Sequence, residues 1–485
     1  MNYYLGVDLG SSSLKIIVGD EKGGILGSES SAYAIVSEHT GYSEQDPQLW
    51  IDAFETAFAK LLDKYSDLKS SIRAISFSGQ MHSLVLLDND GKPLRNAILW
   101  NDTRTTAEVR ELNEQAKAHL LKHEKNIALE GFTLPKIRWV QKHEPELWDK
   151  TWKFVLPKDY LVYYLTGKLH TEPSDAAGTI LYDLEVGEWD KNLLQQWEIP
   201  IEKCPDVIPS TAVAGNLKAA LKQKFKLTND IRIIMGGADN ACGALGTIAD
   251  FDQQGLISVG TSGVVLFYDT ETHTQVDGRF HYFHSALEGM NYKMGVTLSA
   301  GYSLDWLKQI MAPTESFETF TKTAEESPIG SNGVIFVPYL FGERSPYYNA
   351  DLSASFTNLK AHHKRADLIR SVLEGIAFSL KNVFLNMETP ALPKFRIIGG
   401  VVKNPFWLQM FADVFGSEIE VLELDEGPAF GAMICAVLSE SRLDAKSVLE
   451  KYNRVKRSYF PDNERSKQYD VYFEQFKTWS DQLDS

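Results

Sequence analysis

Cysteine is scarce here: Cys204, Cys242 and Cys435 are the only three in 485 residues, widely spaced and without a C-x-x-C pair. That excludes a disulfide framework and a zinc ribbon and predicts reduced, mostly buried thiols. Long apolar runs are also missing, since nothing approaches the roughly 20 residues that span a bilayer. Met1–Gly10 carries no basic stretch ahead of an apolar one, so a cytoplasmic chain with no membrane partner is expected. Positive charge is in deficit, with 49 Lys and Arg against 65 Asp and Glu and a net charge of -16. Polyanions are repelled at long range, which argues against nucleic acid as a partner, and a small anion must be held by local donors. The motifs G-x-x-x-x-G-K-[ST], G-x-G-x-x-G after a first strand, H-E-x-x-H and G-x-S-x-G are all absent. Any phosphate site is therefore not a P-loop or a Rossmann turn, and zincin and α/β-hydrolase chemistry lack their signatures.

What is present divides in two. A single core stops growing near about 250–300 residues, so 485 residues with 44% hydrophobic and 24% charged content predict a globular protein of two large domains. Tyr3–Val7, the turn Gly10-Ser11-Ser12-Ser13 and Leu14–Val18 read as a β-hairpin, and Gly23-Gly24 turns the chain into a third strand. After Asp46-Pro47, the apolar residues Trp50, Phe54, Ala57, Phe58 and Leu61 recur at helical spacing, predicting a helix over 47–65. Strand Ile72–Phe77 follows and ends at Ser78-Gly79. A similar order returns later: Leu256–Val259, Gly260-Thr261-Ser262-Gly263, Val264–Phe267, helix Ala366–Phe384, strand Phe395–Ile398 and Gly399-Gly400. The repeat of element order predicts a duplicated α/β unit with one glycine hairpin per domain, although common β-turn-β and α-β units could also match by chance. The division is placed at 1–248 and 249–485, with inserted structure over about 102–230, where Ala107–His119 and Lys158–Leu165 are helical in pattern.

Five segments could carry chemistry. Asp8 ends a strand ahead of the hydroxyl-rich turn Gly10–Ser13, with Lys15 just beyond. Such a turn can wrap phosphate with backbone N–H groups while the Asp holds Mg²⁺ through water, yet alone it is equally an ordinary hairpin. Gly260–Gly263 has the same double reading. Asp239, in Met235-Gly236-Gly237-Ala238-Asp239-Asn240-Ala241, can take a proton from an attacking hydroxyl or can cap a helix. Gln80-Met81-His82 after a strand end, with Leu99-Trp100-Asn101-Asp102, suits polyol binding, though a lone His there is more often structural. Gly399–Asn404, opening a helix through Phe406, Met410, Phe411 and Val414, leaves room for a flat ring or simply makes a tight turn; Asp425–Ala432 is another close-packing segment.

Taken together, Asp8–Ser11, Ser78–His82, Asp239-Asn240, Gly260–Gly263 and Gly399-Gly400 resemble the FGGY carbohydrate kinases of the actin and hexokinase superfamily, and among them the xylulose-phosphorylating members. Tyr42–Pro47, Leu99–Asp102, His143–Glu146, Leu156–Tyr160, Ser174–Thr179 and Tyr339–Pro346 extend the likeness over most of the chain. The resemblance implies two duplicated ribonuclease H-like domains around a central cleft, the first binding the sugar and the second ATP. It implies Asp239 as proton acceptor, Asp8 as support for Mg²⁺ and phosphate transfer, and Met81, His82 and Asn240, joined by Trp100, as sugar contacts. Gly10, Ser11, Ser12, Lys15, Gly260, Thr261, Gly301, Gly400 and Asn404 match nucleotide-contacting positions. The implied reaction moves the γ-phosphoryl group of MgATP to O5 of a ketopentose, D-xylulose. Gluconate, L-ribulose and glycerol are the rival acceptors, and a non-catalytic sugar or nucleotide sensor is disfavoured by the intact carboxylates. A homodimer is left open. Two departures stand out: Ser-Ser-Ser replaces a common Thr-x-Gly in the first turn, and Val401-Val402 replaces Gly-Ala after the second glycine pair.

Overall fold

The computed structural model describes residues 2–269, 274–388, 392–423, 427–441 and 443–484. Its first sheet begins with β1 (Tyr3–Leu9), β2 (Ser13–Asp20) and β3 (Ile25–Ala32), an antiparallel meander. The first two strands run longer than the predicted hairpin because Asp8 and Leu9 stay in register with Lys15 and Leu14 up to the turn. Helix α1 (Gln48–Lys64) then buries Trp50, Phe54, Ala57, Phe58 and Leu61. Asp46 starts it, its Oδ1 accepting from the Gln48 amide at 2.9 Å. Strand β4 (Ile72–Gly79) returns parallel to β1.

The inserted region leaves that sheet and carries α2 (Thr106–His123), α3 (Pro157–Thr166) and α4 (Pro173–Gly178). The chain rejoins the sheet through β5 (Val213–Asn216), β6 (Arg232–Ile234) and β7 (Gly237–Ala238), then enters α5 (Asp239–Thr247). The resulting order is β5-β6-β4-β1-β2-β3, with β7 also on β4.

A second sheet repeats the plan. It contains β8 (Gln254–Val259), β9 (Gly263–Asp269), β10 (His281–His284), β11 (Asn291–Thr297), β12 (Lys394–Gly399), β13 (Glu418–Leu422) and β14 (Val455–Tyr459), in the order β10-β11-β9-β8-β12-β13-β14. As in the first sheet, the opening strand pairs antiparallel with the second and parallel with the strand that follows the long helix. The duplication expected from element order is therefore present in strand polarity as well. Helices α6 (Gly301–Met311), α7 (Arg365–Asn386), α8 (Pro405–Phe415) and α9 (Pro428–Glu440) complete the second half.

The two halves exchange helices. Ala429, Phe430 and Met433 of α9 join Tyr4, Ile17 and Ala74 of the first sheet in one buried cluster, which also holds Ala244 and Leu245 of α5 with Leu256 and Leu266 of the second sheet. One of the buried clusters thus runs across both lobes. Where α9 crosses α5 the backbones nearly touch: a Cβ on Gly431 would lie 1.8 Å from the Cys242 carbonyl oxygen. This accounts for the small residues of the 427–432 segment; Asp425 lies outside the described residues. Gly431→Val is expected to cost about 1–3 kcal/mol or more through overpacking and to lower the melting temperature. An unchanged melt would show that this crossing does not join the lobes.

Candidate active site

The first glycine turn is held from behind. Gly10 O accepts from the Tyr33 hydroxyl at 2.6 Å, Ser11 O from Gln45 Nε2 at 2.6 Å, Ser12 O from the Tyr33 amide at 3.0 Å and Ser13 O from the Gly10 amide at 3.0 Å. With its carbonyls engaged inside the lobe, the turn offers amides and hydroxyls outward, the pattern an anion needs. None of Ser11, Ser12 and Ser13 has positive φ, so three serines form the turn without the glycine common at this place. The Trp100 indole, 43% exposed, donates to Ser11 Oγ at 2.7 Å, so this residue, expected at the sugar, also touches the phosphate turn.

Asp8 sits on β1 beside Ser78 and opposite Lys15. Burial pushes its carboxyl up to about 6 against the opposing Ser78 hydroxyl and Lys15 charge. Its Oδ1 is buried with no hydrogen-bond partner among the described residues, an unpaired acceptor that a hydrated cation fits. Asp239 follows β7, whose Gly237 and Ala238 pair with Ser78 and Gly79. The two strands that flank the end of β4 therefore bring both carboxylates to one edge. Ala238 occupies the cap position and Asp239 is the first helical residue of α5, one place later than a capping role requires. Burial, followed by the Asp8 charge, pushes the Asp239 carboxyl up to about 7, while the Asn240 amide, donating to Oδ1 at 2.6 Å, works the other way.

Beneath this loop lies a charged cluster. The Ala238 amide donates to Ser174 Oγ at 2.9 Å, and Ser174 Oγ donates to Glu172 at 2.8 Å. Lys158, fully buried, lies 2.8 Å from Asp159, 3.2 Å from Asp175 and 3.8 Å from Glu172. Burial opposes the Lys158 charge, but the three carboxylates overcome it and raise its pKa. The catalytic loop is thus anchored to a lysine that stays protonated.

Met81, His82 and Asn240 come together and meet the second lobe. Asn240 Nδ2 lies 3.6 Å and Tyr292 Oη 3.9 Å from Met81 Sδ. The His82 ring packs edge-on to Phe132 at 4.7 Å and against Phe283 at 5.8 Å. His82 has φ of 68°, an uncommon conformation for a side-chain-bearing residue. Its carbonyl accepts from Thr133 Oγ1 at 3.0 Å and from the buried Lys136 Nζ at 3.2 Å. Burial drops the His82 pKa to about 3, aided by the Lys136 and Arg344 charges and opposed by the Gly178 carbonyl. Gly178 O can only accept, so Nδ1, 2.6 Å away, carries the proton and Nε2 keeps a lone pair for a hydroxyl. One nitrogen of this histidine is thus structural, bonded to Gly178 O.

The second turn is clamped by α6. Gly301 N donates to Gly260 O at 2.8 Å and Ala300 N to Thr261 O at 3.0 Å. A Cβ on Gly301 would stand 2.5 Å from Gly260 O, so this glycine serves the turn directly. Gly399, with φ of 95°, passes so close to Val259 that a Cβ would lie 2.4 Å from its carbonyl oxygen, whereas Gly400 faces open space. Val401 is buried in the second lobe's core cluster and Val402 packs against it, so the bulk that replaces Gly-Ala turns inward. Asn404 caps α8, its Oδ1 accepting from Trp407 N at 3.2 Å. Tyr33, Lys136 and Tyr292 escaped the sequence reading, because each reaches the site from a distant segment with no local pattern to mark it; Gln45 and Arg344 lie in segments that carry the resemblance but had no role assigned.

Repeated lobes with opposed glycine turns and a recessed pair of aspartates define a two-lobed phosphotransferase of the actin and hexokinase architecture. Residues 3–246 match the N-terminal domain and 255–440 the C-terminal domain of the FGGY family of carbohydrate kinases. The xylulose kinase of Staphylococcus xylosus is 40% identical over 482 residues, covering 99% of each chain. Among solved structures, the ligand-bound xylulose kinase of Lactobacillus acidophilus superposes with a TM-score of 0.94 at 27% identity, over 100% of this chain and 98% of that one. The gluconate kinase of the same organism gives 0.93 at 27% identity with the same coverage. The chain belongs to the FGGY family of carbohydrate kinases and is an ATP-dependent phosphotransferase.

A pH effect on stability follows from the raised carboxyls. A folded-state pKa above the ordinary carboxylate value means that the folded chain holds its proton longer than the unfolded one, so stability falls as pH rises from about 4 towards 7. Asp239→Asn removes the Asp239 share of that loss. Without Mg²⁺ or nucleotide, the variant should melt close to the parent at about pH 4 and increasingly above it towards pH 8. A gap that does not widen with pH would contradict the buried-charge assignment.

Proposed function

We propose that this chain is a cytoplasmic kinase that transfers the γ-phosphoryl group of MgATP to O5 of D-xylulose, with Asp239 as the general base. The observation that carries this reading is the Asp239 carboxyl, pushed up to about 7 at the edge where Met81, His82 and Asn240 gather. A carboxylate of that proton affinity is matched to accepting a hydroxyl proton near neutral pH. His82 Nε2 and the Asn240 amide are suited to hydroxyls, and Tyr292 and Phe283 to the carbon face. On the phosphate side, the amides and hydroxyls of Ser11 and Ser12, next to Gly10 and with Lys15, would bind the transferred group, and the turn at Gly260 and Thr261, kept open by Gly301, would take the rest of the nucleotide. Gly400 leaves space for its base.

Asp8, with its unpartnered Oδ1, would hold Mg²⁺ through water. Bound there, the ion supplies charge neutralisation for the phosphates. Closure of the lobes would exclude water, so the sugar hydroxyl rather than water meets the phosphorus. The choice of D-xylulose rests on the name of the 40% identical relative and on Gln80 and Leu99–Asp102 around the sugar wall, because backbone likeness is equally high to a gluconate kinase. We place the division between lobes at 248/249.

The test is ADP release with MgATP over D-xylulose, L-ribulose, gluconate and glycerol. D-Xylulose should give the highest kcat/KM, and Asp239→Asn should lower turnover at least about 100-fold while sugar and ATP still bind. Preference for another sugar would overturn the acceptor, and near-parental turnover in the variant would overturn the base.

A further inference from the structure

The inserted region carries a second cluster of ligating groups, apart from the catalytic aspartates. His119 and His123 lie one turn apart at the end of α2, and Glu124 follows immediately. Asp183 and Asp190 approach from the hairpin and helix cap beyond. Each Asp divides its oxygens. Asp190 Oδ1 accepts from the Asn192 and Leu193 amides at 2.8 and 3.0 Å, leaving Oδ2 2.5 Å from His119 Nε2. Asp183 Oδ1 accepts from the Glu185 and Val186 amides at 2.8 and 3.1 Å, leaving Oδ2 2.7 Å from His123 Nδ1. Backbone amides thus orient one oxygen of each towards an imidazole, the support that metal ligands usually receive.

Glu124 is the independent sign. Its side chain is 0% exposed, and neither carboxylate oxygen has a hydrogen-bond partner among the described residues. One ligand atom from each of His119, Glu124 and Asp190 falls within 4.8 Å of the others. His123, Asp183 and Asp190 form an adjoining triple that shares Asp190. A buried carboxylate facing an imidazole and a second carboxylate, with no donor of its own, is incomplete without a cation or a proton.

We propose that His119, Glu124 and Asp190 bind one divalent transition-metal ion of the zinc class, with His123 and Asp183 lining the site. Imidazole and carboxylate together select zinc-like ions over Mg²⁺, which prefers oxygen and water. The His119 side chain, 28% exposed, leaves a route from solvent. The ion fastens the segment that leads to Asn126, whose Nδ2 donates to Tyr282 O at 2.7 Å on β10, next to the Phe283 ring that packs on His82. Binding there ties the insertion to the second lobe beside the sugar wall.

The test titrates Zn²⁺ into the full-length, chelator-stripped chain with millimolar Mg²⁺ present, following stoichiometry by calorimetry and stability by thermal melting. About one Zn²⁺ per chain and a raised melting temperature are expected. His119→Gln and the isosteric Glu124→Gln should each weaken binding about 10- to 100-fold and remove the thermal shift, while Asp239→Asn keeps both. If His119→Gln does not fold, Glu124→Gln decides. Absence of saturable binding would overturn the proposal and leave a proton shared by Glu124 and Asp190. Unchanged binding in the variants, or loss in Asp239→Asn instead, would also overturn it by moving the ion elsewhere.

Discussion

The constraint on which the first lobe depends is a pair of carboxylates held out of water. Burial is the largest cause raising both Asp8 and Asp239, and the Asp8 charge adds to the second. Neither arrangement lowers the energy of the folded chain, so the surroundings must hold it. Strand pairing fixes both backbones through β4. Below, the Ser174 hydroxyl links the Ala238 amide to Glu172 and so to the buried Lys158 cluster. Removing one member of such a cluster leaves uncompensated buried charge, which is far costlier than losing an exposed pair.

Duplication explains the frame but not the division of labour. Both sheets place a glycine turn after their first strand and a glycine-bearing segment after a later parallel strand. The first lobe adds an insertion that supplies Phe132, Lys136 and Gly178 to the His82 environment. The second supplies Tyr292 and Phe283. The surroundings of Met81 and His82 are therefore a meeting of insertion and duplicate, whereas the glycine turns are the repeated part. The exchanged helices α5 and α9 let the lobes share a core, a geometry suited to relative rotation about the crossing.

Much of the fold was legible because its elements obey local rules. Trp50, Phe54, Ala57, Phe58 and Leu61 mark α1 by spacing alone, and the structure starts and ends it within a residue of expectation. The strands around both turns are apolar runs closed by glycine or serine, so their order, and with it the duplication, could be read directly. Asp8 and Asp239 stood out as acids placed among small residues at strand ends. The structural bond of His82 was not legible, because it depends on which nitrogen meets Gly178 O, 96 residues away. The inward turn of Val401 was hidden for the same reason, since a β-branched residue after two glycines reads alike whether it faces a ligand or a core.

By itself, the sequence determined the class of element at each place, the pairing of two similar halves and the identity of the acids, since these follow from periodicity, turn chemistry and residue type. Only the tertiary structure decided their chemistry. The Asp239 carboxyl is raised to about 7 through burial and the Asp8 charge, and Asp8 Oδ1 keeps no hydrogen-bond partner among the described residues. Proton affinity and bonding capacity depend on dielectric and on neighbours within a few ångströms, and the chain brings those neighbours from segments far apart in sequence.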